Sequence, residues 1–328
     1  MAFTFNGDNA MASHQIQFQQ GMSIPEFLAR FGSEAQCVEG VKAARWPTGF
    51  HCPRCDSTAH YVVGHGARKL FQCNGCRHQT SLTAGSLMEH TKLPLRTWFL
   101  AIYLLSQAKT GLSALALKRQ LGVSYPTAWL LHHKISAAMA QRDSTHRLSG
   151  TVQLDDAYLG GERAGGKPGR GSENKVPFVA AVSLNEQGNP MYLKLNMVRG
   201  FTLDSISKWA LASLAPDTRV ISDGLGCFAA VVDAGCVHQP KVVGALKPRE
   251  LPEFKWVNMA LGHLKTTLAG AFHSLNYRKY AHRYLAAFAY RFSRRFDLQG
   301  LVACLIVDVA CAKPAKKSVL RTHAEAGF

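Results

Sequence analysis

The spacing of apolar positions changes character along the chain, and each change marks a different kind of element. Ser23-Ile24-Pro25-Glu26 has the Ser-x-x-Glu pattern of a capping box with proline in the first turn, so a short helix is expected to about Arg30. A second helix should follow Ser33 and end before Trp46-Pro47. From 93 to 139 the pattern is helical, with Trp98, Ile102 and Leu105 recurring at three- and four-residue spacing. Inside it Gly122 ends one helix, Val123 fills a turn, Ser124 caps and Pro126 opens the next. That is helix-turn-helix grammar, which places Tyr125, Thr127, His132, His133 and Lys134 within reach of DNA. A plain helical hairpin packing two domains together has the same grammar.

After Gly150 the period becomes that of strands. Three are expected, at 151–158, 176–184 and 191–198, the first two joined by a Gly-rich loop. A helix at 203–214, a strand at 219–222, a helical stretch at 227–234, a short strand near Val242 and Val243, and helices from about 258 follow. Three antiparallel strands, then helix, strand, helix, strand, helix is the order of a ribonuclease-H-like fold. The expected class is α/β in several domains: a helical segment 1–47, a ribbon 48–82, a helix-turn-helix region 93–140, the ribonuclease-H-like domain 150–300 and a basic C-terminal tail 301–328.

Charge narrows the partners. The chain has 38 Lys and Arg against 21 Asp and Glu, a formal +17 over 328 residues, which favours polyanions. A membrane surface is the rival polyanion. The longest mostly apolar stretch, 300–312, is interrupted by Asp308 and falls short of the ~20 residues needed to span. The start shows no basic segment followed by an apolar run, which fits the cytoplasm. From 241 to 328 there are 15 Lys and Arg against five Asp and Glu, and Arg278, Arg291, Arg294 and Arg295 stand out as phosphate contacts. The aromatics at 280, 284, 288 and 292 share one helical stripe and read as core rather than as a base-stacking platform.

Three groups carry candidate chemistry. Cys52/Cys55 and Cys73/Cys76 are paired Cys-x-x-Cys turns separated by 17 residues, a Cys₄ zinc pattern whose alternative is buried or disulfide cysteines. Asp155 and Asp156 interrupt an apolar strand, while Asp223 ends another with Gly224 behind it. If those strands are neighbours, Asp155 and Asp223 converge into an oxygen-only site for Mg²⁺ or Mn²⁺, and strand alternation allows only one of the Asp155/Asp156 pair to join. Either aspartate alone also fits a turn or cap. The third ligand is less defined: His263 and Lys265 open the helical stretch 264–275, and on residue chemistry they fit an exposed helix start as well as a site. The loop 160–171 contains Gly161 through Lys167 in G-x-x-x-x-G-K spacing, but Pro168 replaces the hydroxyl residue such a nucleotide loop needs. Its Arg163, Lys167 and Arg170 suit a phosphate backbone instead.

These motifs together resemble the zinc-ribbon DDE-type transposases of bacterial insertion sequences, the ISXO-like group. The resemblance rests on Arg45-Trp-Pro-Thr-Gly-Phe-His-Cys-Pro-Arg-Cys55, Leu154-Asp-Asp-Ala-Tyr-Leu-Gly-Gly161, Ser222-Asp-Gly224, Gly262-His-Leu-Lys265 and the Arg-rich segment 283–295. It implies binding of terminal inverted repeats in double-stranded DNA, metal-dependent strand cleavage and transfer, and a homodimer or higher homo-oligomer that holds two ends. It also implies that Asp155 and Asp223 are metal ligands, with His263 in the third slot and Lys265 as its companion. The group usually has Glu where Asp156, and Glu and Asn where Ala287 and Ser293, stand here. A DNA-binding relic without catalysis and a nuclease of the same fold are the competing readings.

Overall fold

The computed structural model describes residues 20–65, 68–160, 175–242, 244, 251–272 and 275–322. Arg163, Lys167 and Arg170 lie outside the described residues. The expected capping box of Ser23 with Glu26 forms on α1 (Ile24–Phe31), and Ser33 with Gln36 makes a second one on α2 (Glu34–Arg45). β1 (His60–His65), β2 (Arg68–Cys73) and β3 (Gln79–Ser81) make an antiparallel ribbon. Phe71 on its inner face packs against Trp46 and Phe50, which fastens the ribbon to the end of α2. α3 (Leu95–Gln107), α4 (Ala114–Leu121) and α5 (Tyr125–Ser144) follow. α3 has no cap of its own; the Glu34 carboxylate accepts from the Leu95 and Arg96 amides at 2.7 and 3.0 Å. This satisfies two orphan donors and places negative charge at the positive end of the helix.

The second half is a five-stranded sheet of order β6-β5-β4-β7-β8. β4 (Thr151–Leu159), β5 (Val176–Leu184) and β6 (Pro190–Met197) pair antiparallel, while β7 (Arg219–Ser222) pairs parallel with β4 and β8 (Val237–Pro240) parallel with β7. The mixed sheet flanked by helices is the expected ribonuclease-H-like arrangement. One face packs on α6 (Leu203–Ser213) through Trp209 and on a 3₁₀ segment, Gly226–Ala234, through Phe228. The other face packs on α7 (Lys255–Ala271) and α8 (Tyr277–Ser293) through Val257, Leu264, Leu285 and Phe288.

The helical stretch expected at 227–234 is a 3₁₀ segment ending at Gly235 with φ +73°. Three expectations need correction. The short strand expected near Val242 lies instead at Val237–Pro240, and Val243 lies outside the described residues. α7 begins at Lys255, so His263 and Lys265 stand in mid-helix rather than at its start. Its beginning is hidden in the sequence because no local side chain caps it. Gln153 of β4 does so from across the fold, its Oε1 accepting from the Trp256 and Val257 amides at 2.9 and 3.0 Å. Finally, 301–328 is not simply a basic tail. α9 (Leu301–Cys311) buries Leu301, Val302, Leu305, Ile306 and Val309 in the same core as α2, α3 and α5. Its one acidic residue, Asp308, accepts from the Tyr290 hydroxyl at 2.5 Å. α10 (Lys317–Arg321) follows, with Leu320 buried.

α8 belongs to both halves. Its Ala287 and Tyr290 face the helical core, and its Leu285, Phe288 and Phe292 face the sheet. A helix apolar on two sides has no solvated stripe left for bases. The stripe at 280, 284, 288 and 292 is packing: Tyr284 lies against Phe272, Tyr280 against His133, and Phe288 and Phe292 are buried under the sheet.

Candidate metal centres and nucleic-acid interface

The ribbon holds four sulfur atoms on two matching turns. After each Cys-x-x-Cys, the next residue is left-handed, Asp56 at φ 58° and Arg77 at φ 60°, and its amide donates back to the first cysteine carbonyl. The turn therefore aims both thiols of a pair inward. The Sγ atoms of Cys52 and Cys76 are 3.5 Å apart, as are those of Cys55 and Cys73, and all four lie within 4.8 Å of one another. A zinc tetrahedron with ~2.3 Å bonds separates its sulfurs by about 3.8 Å, so the four thiols fit that ion with little movement. The Cys76 amide bonds the Cys73 sulfur and helps hold its pKa down to about 6. Cys37, buried in the helical core, is pushed up by desolvation to about 11 and has the character of a structural thiol.

The carboxylate site sits where β4 continues past the end of β7. The parallel pairing ends at Leu154 opposite Ser222, so Asp155, Asp156 and Asp223 all lie at the margin of that ladder. Gly224, at φ +84°, turns the chain away, and the Leu225 amide donates to Asp223 Oδ1 at 3.1 Å, fixing that carboxylate. Each of the three aspartates offers an oxygen within 4.8 Å of the others. The expectation that alternation would exclude Asp156 is overturned. β7 stops at Ser222, so Asp223 is on the following turn, and oxygens from both sides of β4 meet it. Three half-buried carboxylates this close repel one another unless a cation balances them, and their oxygen-only donors suit a hard divalent ion. His263 is not part of this group; it is exposed on α7, as is Lys265. Asp156 was detectable in the sequence only as the second of two adjacent acids.

The helix-turn-helix geometry is present, but only its tip is open. Gly122 is left-handed at φ 66°, Ser124 caps α5, and the Ser124 and Thr127 hydroxyls are 2.9 Å apart. Tyr125 is 48% exposed and Thr127 half-buried, so both face outward at the first turn. The residues further along α5 do not. His132 and His133 are buried in the α5–α8 joint, where Arg283 approaches His133 Nδ1 at 3.2 Å. Lys134 donates to the Leu87 carbonyl at 2.6 Å over the Trp98 ring. Because α5 is the central helix of the core, its period carries these polar residues inward with the apolar ones.

The C-terminal arginines are likewise engaged. Arg294 holds Asp143 with two nitrogens at 2.8 and 3.3 Å and stacks on Tyr290. Arg295 donates to the Phe292, Met191 and Pro190 carbonyls between the rings of Phe292 and Phe296. Arg291 turns into a small cavity at the domain joint. These three positions knit α8 to its neighbours, a role that a basic-aromatic sequence pattern does not separate from phosphate binding.

Two family models match the chain: a transposase zinc-ribbon domain over residues 32–79 and an ISXO2-like transposase domain over residues 147–293. An uncharacterized protein in the transposable element ISH50 of Halobacterium salinarum is 29% identical over 136 residues, covering 40% of this chain and 44% of that protein. The chain thus spans less than half the length of this relative. The crystal structure of a pre-cleavage Mos1 transpososome aligns at 12% identity over 67% of this chain and 81% of that one, with a TM-score of 0.24, a likeness that carries no argument. Among the described residues no helix is long and apolar enough to cross a membrane. The zinc-ribbon match, the ISXO2-like transposase match and the converging aspartates occur in one chain and in that order, the arrangement of the insertion-sequence transposase domains that the two family models describe.

Proposed function

We propose that this protein binds the terminal inverted repeats of an insertion sequence and catalyses metal-dependent DNA cleavage and strand transfer. The observation that carries the reading is the meeting of Asp155, Asp156 and Asp223 within 4.8 Å at the edge of a ribonuclease-H-like sheet. Mg²⁺ or Mn²⁺ held there would supply charge stabilisation for the attacking and leaving oxygens of a phosphodiester. In the first reaction a water oxygen bonds to phosphorus and the bond to the 3′ oxygen breaks, leaving a 3′-hydroxyl and a 5′-phosphate. In the second that 3′-hydroxyl attacks a target phosphodiester, and the target's own 3′-hydroxyl leaves. The three carboxylates gather the negative charge that draws the cation. His263 and Lys265, exposed on a helix that β4 anchors through Gln153, orient the DNA strand near them.

The zinc-bound ribbon and the open first turn of α5, with Tyr125 and Thr127, form the end-recognition surface, and Arg163, Lys167 and Arg170 contact the backbone. Two ends are held by at least a homodimer. The test is a labelled duplex carrying the element end, a target plasmid and Mg²⁺ or Mn²⁺, beside Asp155→Ala. Joined product that disappears in the variant is the expected result. Tight binding with neither cleavage nor joining in either metal would overturn the catalytic reading, and cleavage without joining would make the protein a nuclease.

A further inference from the structure

The end of β8 grips β7 immediately before Asp223. The Lys241 amide donates to the Ser222 carbonyl at 2.8 Å, and Ser222 Oγ lies 2.8 Å from His238 Nε2. His238 stands opposite Val220 in the parallel ladder, and Ser222 is two residues further along β7, so the two side chains share one face of the sheet. Beyond Ser222 the chain folds back on this pair. The Gly224 amide donates to Ser222 Oγ at 3.4 Å, and a β-carbon added to Gly224 would stand 3.8 Å from Val242 and 3.9 Å from Pro240. The turn that presents Asp223 therefore rests against the end of β8.

The proton positions follow from the partners. Ser222 is fully buried, and a buried hydroxyl needs an acceptor for its proton. Among the described residues its Oγ meets His238 Nε2 and the Gly224 amide. The amide can only donate, so the hydroxyl proton goes to the imidazole nitrogen. That makes His238 the neutral tautomer protonated at Nδ1, and burial, which lowers its pKa, favours the neutral ring. The next amide of the turn, that of Leu225, donates to Asp223 Oδ1 at 3.1 Å. Two consecutive amides are thus held, one by the Ser222–His238 pair and the other by the carboxylate itself.

We infer that His238 and Ser222 are positioning residues for Asp223, holding its turn so that the carboxylate meets those of Asp155 and Asp156. His238 itself lies outside the three-aspartate group and acts only through Ser222. The role rests on the reading of those aspartates as a divalent-metal site. Without the imidazole acceptor the buried hydroxyl loses the partner for its proton, and the Gly224 amide loses a fixed oxygen. Groups that orient a metal ligand in this way are worth roughly 10- to 100-fold in metal affinity.

The test uses the full zinc-loaded chain without DNA. Mn²⁺ affinity is read from the electron paramagnetic resonance signal of the free ion, beside the thermal midpoint of each variant. The unmodified chain should bind Mn²⁺, and Asp223→Asn should lose that binding. His238→Leu should weaken it about tenfold or more, whereas His238→Gln, whose amide oxygen can accept the Ser222 proton, should stay within about threefold of the parent. Ser222→Ala should weaken it as well, and adding His238→Leu to it should cost nothing further, because the pair acts as one unit. Ser222→Ala leaves no buried hydroxyl stranded, so it carries the same test if His238→Leu does not fold. Binding that Asp223→Asn abolishes but His238→Leu and Ser222→Ala leave unchanged would overturn the positioning role while the metal site stands. Equal losses in His238→Gln and His238→Leu would also overturn it and reduce His238 to packing. No Mn²⁺ binding by the unmodified chain would overturn the metal site and this role together.

Discussion

Gln153 accepts a hydrogen bond from the Val257 amide at 3.0 Å, joining the strand of the carboxylates to the helix of His263 across 104 residues of sequence. The same Oε1 accepts from Trp256, and Gln153 is only 2% exposed. Gln153 lies two residues before Asp155 and so on the same face of β4. One amide side chain therefore ties the strand of the carboxylates to the helix that carries His263.

Gln153→Ala should leave two helix-end amides without an acceptor and cost about 2 kcal/mol. The expected result is a lower urea midpoint with an unchanged m-value. If joining activity is measured alongside, it should fall by more than the folded fraction does, since α7 loses its anchor. A variant as stable as the parent would show that the cap contributes nothing.

Asp155→Asn and Asp223→Asn should each reduce strand transfer by at least about 100-fold while leaving binding to an element-end duplex within about twofold. Asp156→Asn is the informative variant, because strand alternation predicts no effect whereas the 4.8 Å cluster predicts a loss. Cleavage and gel-shift assays on the same preparations separate the two.

Removing zinc should disorder the ribbon. Cys73→Ser or a strong chelator is expected to abolish the bound zinc, measured by elemental analysis, and to lower the thermal midpoint. The effect should extend beyond the ribbon, because Phe50, Phe71 and Cys73 belong to the same buried cluster as α2, α3 and α9. Independent melting of the ribbon would contradict that continuity.

His132, His133 and His282 are all held below the ordinary histidine range, to about 4, 2 and 4, with desolvation as the leading cause. Their folded pKa values are depressed, so the unfolded chain binds more protons and stability rises with pH through this range. The contribution is complete above about pH 6.5 and is lost progressively as pH falls towards 4. The expected slope is on the order of 1 kcal/mol per pH unit for each histidine. Urea midpoints should be flat above neutrality and fall below it, and His132→Gln should flatten the fall.

Arg294→Met should lose stability rather than DNA affinity. Its guanidinium pairs with Asp143, and both side chains are about three-quarters shielded, at 23% and 25% exposure. Loss of the pair is expected to cost about 1–2 kcal/mol. A salt dependence of DNA binding that is unchanged in slope would confirm that no phosphate contact was removed.

Elements with local signals were legible in the chain. The capping box at Ser23, the helix start after Ser33, the Gly122–Ser124 turn and the two Cys-x-x-Cys turns rest on interactions within a few residues, and all stand where the pattern puts them. Tertiary contacts alone decided the rest. Gln153 and Glu34 start helices that have no cap of their own, so the beginning of α7 and the neighbourhood of His263 were not written nearby. Asp156 entered the acidic cluster because β7 ends before Asp223, which is a matter of where two strands stop rather than of their period. The basic residues His132, Lys134, Arg291, Arg294 and Arg295 turned inward because α5 and α8 are buried on more than one side. Sequence records which side chains carry charge; only the packing of the helices determines whether that charge meets solvent, a neighbour or a ligand.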